Sequence, residues 1–219
     1  MSNPTFKQPS SKKLSAIRVV ALTGVEFLLF IVIACSFWYQ DFRYALPTPK
    51  PKNWMMPQVG RAIQLPDHFT VAADGKPIAF NFYNCDCACS RFNLDHVRKL
   101  ARTYGRSIRF ILVLEGGTRT DEETLFQGLN LNAEHYCDPN GEIARALGVY
   151  ATPQGVVLDS EHRMVYRGNY NTGRFCVEPR TEFMRLVLEC VSSGRPVPRQ
   201  LQKYRPAYGC AIPSLWTKK

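Results

Sequence analysis

The hydrophobic pattern of the chain begins with a long apolar run, from Val19 to Tyr39, that contains one ionisable residue, Glu26. A helix of about 20 residues spans the hydrocarbon core of a bilayer. Trp38 and Tyr39 lie at the end of the run, and aromatic residues are enriched at membrane interfaces. The pattern therefore predicts a transmembrane signal-anchor helix over residues 19–39.

After this run, short apolar stretches alternate with amphipathic ones. Apolar runs predict strands over 77–83 and 108–114, and a tight polar turn predicts a hairpin between 154–159 and 164–166. The order β-α-β-α-(α)-β-β-α indicates helices packed on a mixed sheet, parallel at first and antiparallel later. Apolar residues at helical spacing predict helices over 89–104, 121–129, 138–147 and 181–191.

Proline recurs between residues 40 and 66, which predicts an extended spacer that holds the following domain away from the bilayer. The chain then divides into five segments. These are a basic cytoplasmic tail (1–18), a transmembrane anchor (19–39), a proline-rich linker (40–65), an α/β domain (66–193) and a C-terminal extension (194–219).

The net charge of +10 is concentrated in part at the N-terminus, where Lys7, Lys12, Lys13 and Arg18 precede the apolar run without any acidic residue. The positive-inside rule places such a flank in the cytoplasm. We therefore expect a single-pass protein of a bacterial inner membrane with its C-terminal domain in the periplasm. No basic stripe interleaved with aromatic residues and no nucleic-acid motif occurs, so nucleic acid is not an expected partner.

Two other readings of the N-terminus also export the domain. A cleaved signal peptide disagrees with the length of the run and with the lack of a small-x-small site. Lipidation of Cys35 is suggested because Val32-Ile33-Ala34-Cys35 resembles a lipobox, but the bulky Phe37-Trp38-Tyr39 that follows argues against it.

Three of the eight cysteines, Cys85, Cys87 and Cys89, lie between a predicted strand and a predicted helix. Unpaired N–H groups and the positive end of the helix dipole stabilise a thiolate at a helix N-terminus. Such a thiol has a lowered pKa and is nucleophilic at neutral pH. The pattern predicts an exposed redox site in which Cys87 attacks and Cys89 resolves, and Cys85 is able to replace either.

The motifs around this cluster resemble those of the thioredoxin superfamily over residues 66–192. Asn81-Phe82-Tyr83 is similar to the strand that precedes the active cysteines of membrane-tethered thioredoxins. Thr152-Pro153 is similar to the cis-proline loop of the superfamily. The resemblance implies a thioredoxin-like fold, with a mixed central sheet flanked by helices, in which Thr152 and Pro153 bind the substrate chain.

Two further motifs resemble more specific patterns. The stretch from Cys87 to Phe92 resembles a bacterial membrane-anchored thioredoxin-like family of unknown function that has a Cys-x-Cys-Ser-Arg-Phe motif. The tail Gly209-Cys210-Ala211-Ile212 resembles the Gly-Cys-x-Ile ending of some redoxin-domain proteins. Both patterns imply the fold more strongly than the reaction.

These features together predict a periplasmic thiol–disulfide oxidoreductase that needs no cofactor and acts on protein thiols or disulfides, or with a membrane redox partner. One alternative is a copper chaperone, because Cys85 and Cys89 have the Cys-x-x-x-Cys spacing of Sco-type proteins, with His135 as a candidate third ligand. A thioredoxin-fold peroxidase is ranked last, because Arg91 is too close in sequence to cover the thiolate.

The remaining cysteines are expected to be structural. We predict a disulfide between Cys176 and Cys210, which both lie in loop-like segments, although a resolving role for Cys210 is an alternative. A disulfide between Cys85 and Cys137 is the structural alternative to a redox role for Cys85. Cys190 lies in an apolar helical stretch and is predicted to be a core thiol.

Overall fold

A computed structural model describes the chain except for residues 1–10, 43–45, 53, 72–73, 116–121, 174–177, 204 and 217–219. The chain forms two units, Met1–Arg43 and Tyr44–Lys219. The first contains helix α1, Ser11–Phe37, and a π-helical turn, Trp38–Phe42. From Ser15 to Gln40 this unit is long and apolar enough to cross a membrane, as the sequence predicts.

The second unit is built on a central sheet of five strands in the order β3-β2-β1-β5-β6. Strands β1, β2 and β3 are parallel, and β5 and β6 are antiparallel to their neighbours. A second sheet pairs β4 with β7, the antiparallel partner from the C-terminal segment. The strands are β1 Ile78–Tyr83, β2 Arg109–Leu114, β3 Glu134–Cys137, β4 Ala151–Thr152, β5 Gln154–Leu158, β6 Met164–Gly168 and β7 Cys210–Ala211.

Helices cover both faces of the central sheet because alternate strand residues point to opposite sides. On β1, Ala79 packs with the helices Ala88–Tyr104 (α2) and Phe183–Ser192 (α5), whereas Phe80 packs with the helix Glu142–Leu147 (α4). This arrangement is the mixed central sheet flanked by helices that the sequence predicts. The helices are α2 Ala88–Tyr104, α3 Glu122–Leu129, α4 Glu142–Leu147, α5 Phe183–Ser192 and α6 Arg199–Gln202, with 3-10 turns at Pro179–Thr181 and Pro213–Leu215.

One strand of the central sheet is missing from the sequence prediction. Strand β3 contains Glu134 and His135, and its polar composition gives no apolar run. The helix predicted from Asp138 begins instead at Glu142, because the carboxylate of Asp138 accepts hydrogen bonds from the N–H groups of Glu142 (2.7 Å) and Ala144 (2.8 Å).

The two segments that flank the predicted domain are packed against it. In the proline-rich segment, Gly60 N–H donates to the carbonyl of Met164 (2.8 Å), and the ring of Trp54 contacts Tyr150 edge-on at 4.9 Å. Main-chain hydrogen bonds and one aromatic contact therefore hold this part of the predicted linker within the second unit. In the C-terminal segment, Ile212 is fully buried.

Candidate active site

A tight turn at the end of β1 places the first cysteines. The side-chain oxygen of Asn84 accepts a hydrogen bond from the N–H of Asp86 (2.8 Å). The main-chain carbonyl of Asn84 accepts one from the N–H of Cys87 (3.1 Å). Cys87 is the N-cap of α2, and its carbonyl accepts from the N–H of Arg91 (3.1 Å). The turn thus holds the Cys87 sulfur at the N-terminus of α2, the position that favours a thiolate.

Cys87 forms a disulfide with Cys210, which is 123 residues away in sequence, and their Cα atoms lie 6.0 Å apart. The predicted Cys176–Cys210 disulfide is therefore not formed here, because one sulfur cannot belong to two disulfides, and Cys176 lies outside the described residues. The arrangement instead favours the alternative resolving role of Cys210 over the predicted one of Cys89.

Strand pairing carries Cys210 to this position. Thr152 of β4 pairs with Cys210 of β7 in antiparallel register. Gly209 precedes the cysteine with φ of +137°, and a Cβ there would lie 2.1 Å from the carbonyl oxygen of Thr152. Glycine is thus required at this position for two reasons, its backbone conformation and the close approach of the main chain.

The proline-rich segment supports the same strand. Thr48 Oγ1 donates to the carbonyl of Gly209 (3.0 Å), and the N–H of Thr48 donates to the carbonyl of Ala207 (2.8 Å). The hydroxyl of Tyr150 accepts from the N–H of Ala207 (3.0 Å). These contacts fix the main chain on the N-terminal side of Cys210.

The Thr152–Pro153 peptide bond is cis, as the sequence predicts. The carbonyl oxygen of Thr152 lies 3.5 Å from the sulfur of Cys87. A disulfide sulfur carries no hydrogen, so this is a contact in the oxidised form and a site for S–H donation in the reduced form. The main chain of Thr152, predicted to bind substrate, is paired with β7 in this state.

The sulfur of Cys89 completes a cluster with those of Cys87 and Cys210, and all three lie within 4.8 Å of one another. Both Cys87 and Cys89 have an exposed fraction of only 1%. The prediction of an exposed site is therefore wrong for this state, since the sulfur of Cys87 lies against the cis-proline loop and is bonded to β7. We call these three residues the sulfur cluster.

Cys85 and His135 lie outside the sulfur cluster. Cys85 is half-buried and carries no disulfide, so the Cys85–Cys137 bridge is not formed. His135 is stacked on the ring of Phe126, with 3.9 Å between ring centroids. Among the described residues, the one group of three possible metal ligands is the sulfur cluster, so the set Cys85, Cys89 and His135 is not brought together.

Cys190 and Arg91 were also considered in the sequence analysis. Cys190, on α5, is half-buried and not a fully buried core thiol. The guanidinium of Arg91 donates to the carbonyl of Cys85 (2.7 Å). Arg91, the arginine weighed in the peroxidase alternative, is thus bonded to a main-chain carbonyl.

A groove of about 370 Å³ runs beside the cis-proline loop. Phe92 lines this groove, and 49% of the surface of Phe92 is exposed. Burial lowers the pKa of His96, and this effect exceeds the opposite effect of the Glu182 carboxylate, so His96 is mainly neutral at pH 7. The groove is therefore lined by aromatic rings and polar side chains, and its charged groups are the Arg91 guanidinium and the Asp95 carboxylate.

A buried acid, which the sequence analysis does not predict, lies next to the turn that follows β1. Glu115 directly follows β2, and its N–H donates to the carbonyl of Tyr83 (2.8 Å) at the end of β1. Its side chain is 1% exposed. Burial, with the nearby Asp138 carboxylate as a second cause, raises the pKa of Glu115 well above its ordinary value. An acid at the end of a predicted strand gives no sequence signal for such burial.

No curated protein matches the chain. Among solved structures it is similar to an uncharacterized conserved protein from Geobacillus kaustophilus, at 20% identity and a TM-score of 0.58, over 76% of this chain and 97% of that one. A hypothetical protein from Sinorhizobium meliloti 1021 has 18% identity and a TM-score of 0.60, over 78% and 100% of the two chains. Identities at this level indicate a shared fold only.

A more distant match is a secreted Mycobacterium tuberculosis disulfide oxidoreductase, at 18% identity and a TM-score of 0.39, over 45% of this chain and 72% of that one. A family model matches residues 57–211, a range that contains all three residues of the sulfur cluster and the Thr152–Pro153 bond. The chain therefore belongs to the family described as Domain of unknown function (DUF6436).

Proposed function

We propose that this protein is a membrane-anchored thiol–disulfide oxidoreductase whose redox couple is Cys87 and Cys210. The observation that carries the proposal is the disulfide between a helix N-cap and a strand paired with the cis-proline loop. A structural disulfide needs neither feature. A redox couple gains from both, because the helix stabilises the Cys87 thiolate and the strand brings a second thiol to it.

In the reducing direction, the Cys87 thiolate attacks one sulfur of a substrate disulfide and forms a mixed disulfide. The other substrate sulfur leaves as a thiolate and takes up a proton. The Cys210 thiolate then attacks the Cys87 sulfur, which releases the second substrate thiol and restores the Cys87–Cys210 bond. Two electrons pass to the substrate, and a reductant of the dithiol class regenerates the pair. The oxidising direction is the same sequence reversed.

Strand β7 must leave β4 before a substrate chain reaches Cys87, because Cys87 is buried and Thr152 is paired with Cys210. In the reduced form, the disulfide no longer holds β7. The short pairing and the Thr48 hydrogen bonds then remain as the contacts of this strand with the loop and the proline-rich segment. Reduction thus favours opening of the site to a substrate disulfide.

We further propose that the domain faces the periplasm and that its partners are protein thiols or a membrane redox partner. The apolar helix α1 and the basic residues before it support this orientation. A reporter fused after Lys219 that is active only outside the cytoplasm tests the topology. Reporter activity is expected in the periplasm, and activity of a cytoplasmic reporter at the same position would contradict it.

The redox couple is tested with the full chain in detergent, equilibrated in dithiol–disulfide buffers and alkylated before mass spectrometry. Cys87 and Cys210 are expected to titrate together as a two-electron couple. Cys87→Ser and Cys210→Ser should both abolish catalysed reduction of a peptide disulfide under turnover, while the matched control Cys85→Ser keeps it. Full activity of both variants would contradict the proposal.

A further inference from the structure

The sulfur cluster holds one more sulfur than a disulfide uses. We propose that reduced Cys87, Cys89 and Cys210 together bind one soft metal ion, Cu(I), through three thiolates. This inference goes beyond the proposed redox reaction, because it assigns a ligand to the reduced form and a role to Cys89. It also differs from the copper site suggested by sequence, since Cys85 and His135 take no part.

The spacing of the sulfurs suits a three-coordinate site. All three sulfurs lie within 4.8 Å of one another. A metal–thiolate bond of about 2.3 Å places the sulfurs of a trigonal planar site about 4 Å apart. Opening of the Cys87–Cys210 bond separates its two sulfurs toward this distance, so modest side-chain rotations are enough to form the site.

The donor set selects the class of metal. Thiolates are soft ligands that favour Cu(I), zinc and iron–sulfur clusters. Structural zinc takes four ligands in tetrahedral geometry, whereas Cu(I) accepts three. The cluster offers three sulfurs, and Cys87 and Cys89 are each only 1% exposed, whereas Cys210 is half-buried. Three sulfur donors, two of them buried, therefore favour Cu(I).

The charge of the site is offset by the start of α2. Three thiolates and one Cu(I) ion carry a net charge of −2, which is costly to bury without compensation. Cys87 caps α2 and Cys89 lies in its first turn, where unpaired N–H groups and the helix dipole favour anions. Two of the three thiolates thus lie at the positive end of a 17-residue helix.

Metal loading follows reduction in a balanced sequence. A dithiol reductant opens the Cys87–Cys210 bond, gives two thiols and becomes a cyclic disulfide. Cu(I) then replaces the protons of Cys87, Cys89 and Cys210, and three protons are released. The metal holds β7 close to α2 in the reduced form, as the disulfide does in the oxidised form.

The test uses the full chain in detergent, reduced with dithiothreitol, freed of reductant under anaerobic conditions and titrated with Cu(I) against a colorimetric Cu(I) chelator. We expect one Cu(I) per chain, with about three sulfur neighbours in X-ray absorption spectra at about 2.3 Å. Cys89→Ser is expected to weaken Cu(I) binding by roughly 100-fold or more, since one of three bonds is lost. Cys85→Ser is the matched control and should bind as the wild type does.

Cys89→Ser also separates this inference from the proposed function, because the variant keeps Cys87 and Cys210. Its redox titration is expected to be unchanged while its Cu(I) affinity falls. Wild-type Cu(I) affinity in Cys89→Ser, or loss of binding in Cys85→Ser, would overturn the site. Retention of Zn(II) in preference to Cu(I), in a parallel titration, would overturn the three-coordinate assignment.

Discussion

The two halves of the candidate site are held in very different ways. The turn from Asn84 to Cys89 is fixed by hydrogen bonds between residues that are close in sequence, and it continues directly from a central strand into a long helix. The segment from Gly209 to Ile212 is held by long-range contacts, namely the pairing with β4, the Thr48 hydrogen bonds and the disulfide.

This difference indicates which half of the site is able to move. Displacement of the turn would disrupt the start of α2 and the end of β1, which belong to the core. Once the disulfide is open, displacement of the tail breaks the two-residue pairing with β4, the Thr48 hydrogen bonds and the packing of Ile212, but it leaves the central sheet in place. We therefore expect chemistry at the sulfurs to change the order of the tail and to leave the turn in place.

Removal of the disulfide is expected to have the largest effect on how the tail is held. Cys210→Ser should lower the free energy of unfolding of the oxidised protein by roughly 4 to 5 kcal/mol, because the bond closes a long loop and restricts the unfolded chain. Chemical denaturation of the full chain in detergent measures this loss. Cys85→Ser should leave stability nearly unchanged, and equal stability of Cys210→Ser and wild type would show that the bond does not close this loop.

Substitution of Gly209 disturbs the tail while all cysteines remain. Gly209→Ala forces a Cβ against the Thr152 carbonyl in a left-handed conformation, at a cost of roughly 1 to 3 kcal/mol. We expect a lower fraction of Cys87–Cys210 disulfide at a given redox potential, measured by alkylation. Gly194→Ala is a matched control, because Gly194 also has positive φ (+67°) but no atom lies within 4 Å of a Cβ added there. Equal effects of the two variants would exclude the close contact as the cause.

Loss of one hydrogen bond to the tail should affect the tail and not the turn. Thr48→Val removes the bond to the Gly209 carbonyl and should cost about 1 kcal/mol. Hydrogen exchange should become faster at residues 207–212 in the reduced protein and stay unchanged at 84–89. Faster exchange in both segments would mean that the two halves move together. Thr103→Val, on the exposed face of α2, serves as the control.

A pH series probes Glu115, which follows the C-terminal end of β2, and is expected to give the smallest change in stability. The pKa of Glu115 is raised by burial, so below its unfolded pKa of about 4.5 both states are protonated and no penalty arises. Above that pH the unfolded state loses its proton first, and stability falls as pH rises toward the folded pKa. Glu115→Gln should therefore be more stable than wild type at pH 7, and the difference should vanish near pH 4.

A constant difference from pH 4 to pH 8 would contradict the pKa assignment of Glu115. Asp86→Asn is the matched control, because this neighbouring acid is on the turn and exposed.

The sequence predicts the turn half of the site because its signals are local. An apolar run before Cys87 and helical spacing after it locate the strand-to-helix junction, and the Thr152–Pro153 motif locates the cis-proline loop. Strand β3 was missed because an edge strand with polar residues has no apolar run to reveal it.

The partner of Cys87 could not be predicted for a different physical reason. Cys210 reaches it through a strand of only two residues, and such a strand has no period to detect. The choice between Cys85, Cys89 and Cys210 as the partner of Cys87 depends on which backbone pairs with Thr152, and cysteine spacing alone does not determine connectivity. The Gly before Cys210 was the usable signal, since glycine permits close backbone approach.

The hydrogen bonds of Thr48 have a practical consequence for anyone who shortens this chain. The family match spans 57–211, and a chain trimmed to those limits would retain every sulfur of the cluster. It would lose both bonds from Thr48 and the burial of Ile212 beneath the second face of the sheet. The trimmed protein would therefore keep the three cysteines but lose contacts that hold the strand of Cys210. Its redox behaviour would differ from that of the full chain.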